Sequence, residues 1–161
     1  MLLIELLDTK LPIEFDDFDI TNDSFKTTTT INNVHYGFEC YYRKLSLISS
    51  DLFYGVKKPS SLVNLESKID YIWELMFFNF DEYGALNFSM TKRNDSLKVL
   101  SFVKQSALMF TKKYHPNYIT FTSDNISREN VYLKIISKSF KIKNKYKFKN
   151  ENNVDLIVLE I

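Results

Sequence analysis

From Phe140 onward apolar and basic residues alternate: Phe140, Ile142, Tyr146 and Phe148 fall on one parity, Lys141, Lys143, Lys145, Lys147 and Lys149 on the other. A period of two predicts a strand over residues 140–149 with its five lysines exposed on one face. Glu151-Asn152-Asn153 then supplies a turn and Asp155 to Ile161 a last apolar strand, so this part is expected to be a hairpin. Upstream the period changes. Leu97, Leu100, Val103, Ala107, Phe110 and Tyr114 recur every three or four residues behind Asp95 or Ser96 as a cap, which predicts a helix ended by Pro116. Val99, Phe102 and Met109 widen its apolar face, so it should be buried on more than one side. Tyr118 to Thr122 reads as a short strand, and Ser127 opens a second helix through Val131, Tyr132, Ile135 and Ile136.

The first half is more ambiguous. Tyr36 to Leu47 is aromatic-rich and reads as a strand. Tyr71 to Phe80 and Ala85 to Met90 read as a hairpin about Asp81-Glu82-Tyr83-Gly84. Between them Leu62, Leu65 and Ile69 have helical spacing, with Ser60 or Ser61 available as a cap. Asp23 to Asn33, with four threonines in a row, is either an edge strand or an ordered loop. The expected fold is therefore α+β: one domain over residues 1–161, with a mixed twisted sheet and two main helices. Residues 1–70 are expected to form N-terminal strands and an acidic loop region, and 71–161 the core.

Composition fits such a domain. The chain has 161 residues, 45% of them hydrophobic and 25% charged, with a net charge of +1, which excludes a disordered polyelectrolyte. One cysteine, Cys40, excludes an internal disulfide and fits a reducing compartment. The apolar start, Met1 to Leu7, lacks a basic leader and is interrupted by Glu5, so no signal peptide is expected. No run is long enough to suggest a membrane span. The small net charge conceals an asymmetry. Residues 1–35 hold seven acids against Lys10 and Lys26, whereas Lys134 to Lys149 contains seven lysines and no acid. The lysine face invites nucleic-acid phosphate or an acidic protein, or serves as an edge strand protected against aggregation.

Other chemistry is sparse. His35 and Cys40 are the only close pair of soft ligands, and no zinc pattern results. Asp17 and Asp19 begin like a calcium loop, but Asn22 and Thr28 occupy the positions of its glycine and bidentate acid. No Gly-x-Ser-x-Gly elbow exists, and the three glycines, Gly37, Gly55 and Gly84, form neither a P-loop nor a dinucleotide fingerprint.

The run Ser127-Arg128-Glu129-Asn130-Val131-Tyr132-Leu133-Lys134, ending in Ser139-Phe140, resembles the second-helix motif of the GNAT (acetyltransferase) superfamily, with Val131 for Leu and Ser139 for Gly. The order of elements over about residues 71–161 is similar too. Closer still is a group of uncharacterised phage-encoded proteins with this kind of fold, similar in Pro116 to Phe121 and in Ser127, Arg128 and Tyr132. The resemblance implies Tyr132 as general acid for a departing thiolate, an anion near Arg128, and a pyrophosphate loop at Thr91 to Ser96 with Lys92 and Arg93 as its cations. That loop has no glycine and carries Asp95, so no cofactor is expected, acetyl-CoA entering only if the protein is an enzyme. The expectation is a phage-like binding or accessory protein on an acetyltransferase-like fold. It would bind protein or itself, or nucleic acid through the lysines, and would work in the cytoplasm or a virion. The alternatives are an N-acyltransferase with an atypical loop and a structural or assembly component of a phage particle.

Overall fold

A computed structural model describes residues 12–79, 84 and 85, and 93–161. Their strands are β1 (Phe15–Ile20), β2 (Ser24–Ile31), β3 (Val34–Lys44), β4 (Tyr71–Asn79), β5 (Gly84–Ala85), β6 (Tyr118–Ser123), β7 (Asn144–Lys149) and β8 (Asp155–Glu160). The helices are α1 (Leu45–Leu52), α2 (Ser60–Lys68), α3 (Arg93–Tyr114) and α4 (Ile126–Ser139). All strands join one mixed α+β sheet in the order β1-β2-β3-β4-β6-β8-β7, with the two-residue β5 paired to β4. No described helix is long and apolar enough to cross a membrane.

Side-chain alternation divides the interior in two. Phe25, Tyr36, Phe38, Cys40, Trp73, Leu75, Phe77, Ile119, Phe121, Ile157 and Leu159 face α3 and α4, where Phe102, Phe110, Tyr132 and Ile136 meet them. The opposite parity, including Ile72, Leu156, Val158 and Phe148, faces α1 and α2 through Leu45, Ile48, Leu62 and Leu65. The sheet is thus the middle layer between two pairs of helices, and α3 is buried on several sides, as its broad apolar face predicts.

The central strands are held unequally. β3 and β4 pair over nine positions, from Tyr36↔Asn79 to Lys44↔Tyr71. β4 and β6 are parallel and pair only at Trp73↔Ile119 and Glu74↔Thr120, so they diverge beyond those residues. Phe77 on β4 and Phe121 on β6 stand on either side of the divergence. Tyr132 of α4 bridges them, with ring centroids 4.7 Å from Phe77 and 5.8 Å from Phe121.

Several sequence expectations are corrected. The strand from Tyr36 stops at Lys44, and Leu45, Ile48 and Leu52 continue as α1; the unbroken apolar run hid the change of period. Asp23 to Asn33 is not an edge: β2 lies between β1 and β3, turned by Asn32 and Asn33, both at positive φ (53° and 64°), as a tight hairpin turn demands. The acidic segment is the edge strand β1 rather than a loop. Neither Ser60 nor Ser61 caps α2, because Pro59 precedes it and its carbonyl accepts from Leu62 and Val63. Asp95 and Ser96 fall inside α3, and α4 begins at Ile126, where Asn125 Oδ1 accepts the Ser127 N–H at 2.9 Å. The strand expected over 140–149 begins only at Asn144. Phe140 and Ile142 therefore join the core under α3 and α4, while Tyr146 and Phe148 join the other. The turn at 81–83, residues 86–92 and residues 1–11 lie outside the described residues.

Cys40 is fully buried, and burial pushes its thiol well above the ordinary range. It should resist Ellman's reagent until the chain unfolds. Above about pH 9 the unfolded chain ionises this thiol and the folded one does not. The stability it contributes is complete below that pH and lost as pH rises toward the folded value, so Cys40→Ala should flatten the alkaline fall in urea midpoint. Phe38→Ala, deep in the same core, should cost about 3–5 kcal/mol in urea denaturation.

Candidate functional sites at the two ends of the sheet

Beyond the divergence, α4 starts just after the end of β6 and carries Glu129 in its first turn, where the helix dipole favours a carboxylate. Glu129 is buried to 1% exposure. Lys147 reaches it from β7, Nζ lying 3.1 Å from Glu129 Oε2 and 3.5 Å from Asp155 Oδ2 on β8; Lys149 lies 3.2 Å from Asp155 Oδ1. Two acids and two lysines thus compensate one another across α4, β7 and β8. The hydrogen bond to Glu129 holds the Lys147 ammonium above its ordinary pKa.

This geometry divides the lysine row. All five lysines are exposed, yet Lys147 and Lys149 are committed to Glu129 and Asp155, whereas Lys141, Lys143 and Lys145 make no ion pair among the described residues. Lys141 and Lys143 precede β7 in irregular backbone, and Lys145 shares the α3–α4 face with Lys147. The pairing of Lys147 with Glu129 was invisible in sequence because it joins residues eighteen apart through tertiary packing.

Tyr132, the general acid that the resemblance implies, is 3% exposed and packed between Phe77 and Phe121. Arg128 lies in the first turn of α4 and Arg93 opens α3; Thr91 and Lys92 lie outside the described residues. His35 and Cys40, five apart on β3, point to opposite faces, His35 exposed and Cys40 buried. No group of three or more His, Cys, Asp or Glu among the described residues could hold a metal. Asp17 and Asp19 sit on β1, and Asp17 Oδ1 accepts the Phe18 N–H, so they do not form an ion-binding loop.

The opposite end of the sheet gathers cations and aromatic rings. Trp73 pairs with Ile119, so Tyr71 at the start of β4 is level with Asn117, which accepts from Ile161 N–H at 2.8 Å; Lys143 N–H in turn bonds Glu160 at 2.7 Å. Lys44 and Tyr71, paired across β3 and β4, thus lie at the same end of the sheet as Asn117, Ile161 and Lys143. On the α3–α4 face, Tyr42 and Tyr71, each 44% exposed, lie stacked with centroids 5.3 Å apart and planes at 21°. Lys44 Nζ stands 5.8 Å from the Tyr71 ring. Beneath them Trp73 lies 5.1 Å from Tyr42 and 4.4 Å from Tyr114. Lys112, Lys113 and Lys138 occupy the last turns of α3 and α4 at this end, where they offset the helix dipoles. Sequence reasoning missed Tyr42, Lys44 and Tyr71. The signal was the run Tyr41-Tyr42-Arg43-Lys44, aromatic and basic residues interleaved at a strand end.

The class this defines is an α+β domain with a central mixed sheet, a closed aromatic bridge at one end and a cationic, aromatic surface at the other. Residues 56–156 match DUF6934, a family of unknown function, and the chain belongs to that family. No curated protein and no solved structure matches it.

Removing Lys147 strands a buried carboxylate, so Lys147→Met should lower the urea midpoint, and Glu129→Leu combined with it should recover much of the loss. In the parent chain this pair's stabilisation is complete below the ordinary lysine pKa of about 10.4 and lost as pH rises through the raised folded value. Midpoints measured between pH 7 and 11 check both. Equal midpoints in Lys147→Met and the parent would show that the pair does not stabilise the fold.

Proposed function

We propose that the protein is a binding domain on an acetyltransferase-like framework, whose ligand is a polyanion held at the cationic end of the sheet. The observation that carries this reading is the division of the lysines. Lys147 and Lys149 serve the fold, while Lys141, Lys143 and Lys145 are exposed and make no ion pair among the described residues, near the lysines that end α3 and α4. Three exposed lysines in close succession match the repeating charge of a phosphate polymer better than a single compact anion.

The acetyltransferase-like part of the reading rests on the resemblance around Tyr132 and on the order helix, strand, helix and hairpin after β4. A binding role is favoured over acyl transfer because Tyr132 is enclosed by Phe77 and Phe121. A proton donor to a departing thiolate must reach the reacting atoms. The alternative, an N-acyltransferase using Tyr132, Lys92 and Arg93, draws its support from the same resemblance. The likeness to phage-encoded proteins is compatible with work in a host cytoplasm or in a particle, where a polyanion-binding domain would meet genome or transcript.

Fluorescence anisotropy with a labelled oligonucleotide tests the proposal. Changing Lys141, Lys143 and Lys145 together to Gln should weaken binding at low salt by roughly tenfold or more and reduce the slope of log K against log salt by about 2. Lys112→Gln should change it less. Absence of binding by the parent at low salt would overturn the reading. Micromolar affinity for acetyl-CoA, with acyl transfer lost in Tyr132→Phe, would replace it with the enzyme.

A further inference from the structure

Tyr42 and Tyr71 are large aromatic side chains left almost half exposed on a sheet whose other rings are mostly enclosed, and they are stacked rather than tilted. Burial against a neighbouring element does not explain them. Their positions do: Tyr42 is diagonal to Tyr71 across the β3–β4 ladder, with Trp73 opposite Tyr42 and Lys44 opposite Tyr71. Trp73 is enclosed and wedged between Tyr42 and the Phe110–Tyr114 pair at the end of α3. Tyr114 Oη donates to the Ser24 carbonyl at 2.9 Å, which anchors the base of this stack to β2. The two outer rings are therefore pre-positioned by the core, and Lys44 lies over one of them.

An exposed, stacked ring pair with an ammonium group beside it is what a sequence-tolerant single-strand binder offers: a flat surface for a base and a cation for a neighbouring phosphate. Duplex DNA hides its base faces by stacking, and an acidic peptide has no such faces. We propose that Tyr42 and Tyr71, with Lys44, form a base-stacking platform, so that the polyanion taken at this end is single-stranded nucleic acid. This rests on the polyanion reading above and names its substrate class. The backbone would pass from the platform along the end of the sheet to Lys143 and Lys145.

The chain carries its own reporter, because Trp73 is its only tryptophan and touches Tyr42. Three probes of about twenty units separate stacking from charge: a thymidine oligonucleotide, its abasic counterpart and a duplex of the same length. The platform requires the thymidine strand to bind most tightly and to change Trp73 emission, with the abasic strand weaker. Tyr71→Leu and Tyr42→Leu keep apolar bulk without a π-face, so each should lose roughly tenfold in affinity for the thymidine strand and little for the abasic one. Tyr42→Phe and Tyr71→Phe should retain binding, and an unchanged thermal midpoint in each variant separates ligand loss from unfolding. Equal binding of all three probes, or leucine variants that bind as the parent does, overturns the platform. If the lysine variants still lose affinity, the polyanion reading stands without it. If no probe binds at low salt, both fall.

Discussion

The structure turns on one short parallel contact. β4 and β6 share only two register pairs, yet they join the β1–β4 meander to the β6–β8–β7 half of the sheet. A ladder that short cannot fix the two halves through backbone bonds alone, so side chains carry the junction. Phe77, Phe121 and Tyr132 bridge it on one face, and the α1–α2 pair covers Ile72, Leu156 and Val158 on the other. The aromatic surplus of the chain thus has a structural destination: rings span a wider gap than aliphatic side chains and keep directional contact across it. The same rings enclose Tyr132, so its side chain serves the junction between the two halves of the sheet.

Charge is apportioned between fold and surface by a similar competition. Glu129 is placed by α4 where a carboxylate is favoured by the helix dipole but shielded from water, and Lys147 supplies the compensating charge from the edge strand. Once Lys147 and Lys149 are used in this way, Lys141, Lys143 and Lys145 are left nearer the other end of the sheet. The net charge of +1 therefore describes neither end of the molecule.

The strand–helix–strand–helix–hairpin order of the second half was legible because α3 and α4 have strong three-to-four-residue periodicity and Pro116 separates them from β6. Composition and pattern also sufficed for the α+β class. Less was legible where an apolar run changed period without punctuation, as at Lys44 and Leu45, or where parity misled, as at Phe140 and Ile142. Four threonines suggested an edge strand or an ordered loop, but β2 is interior, paired to β1 on one side and β3 on the other, with Phe25, Thr27, Thr29 and Ile31 buried on one face. Of the lysine row, the exposure of all five side chains could be read directly, but only Lys145, Lys147 and Lys149 lie on a strand. The division of the row could not be read, since the partners Glu129 and Asp155 come from other elements, and the Tyr42–Tyr71 stack depends on a cross-strand register that sequence does not state.

The nine-pair ladder between β3 and β4 has a consequence for how much of the chain makes a workable protein. The family match begins at Val56, after β3 has ended, but a fragment starting there would lose the strand that covers β4 along its whole length. β4, with Trp73, Leu75 and Phe77 on one face, would become a long, flat, apolar edge, the kind of unpaired strand that recruits other chains. Such a fragment would be a seed for aggregation rather than a minimal domain, because β3 is what keeps the edge of β4 paired.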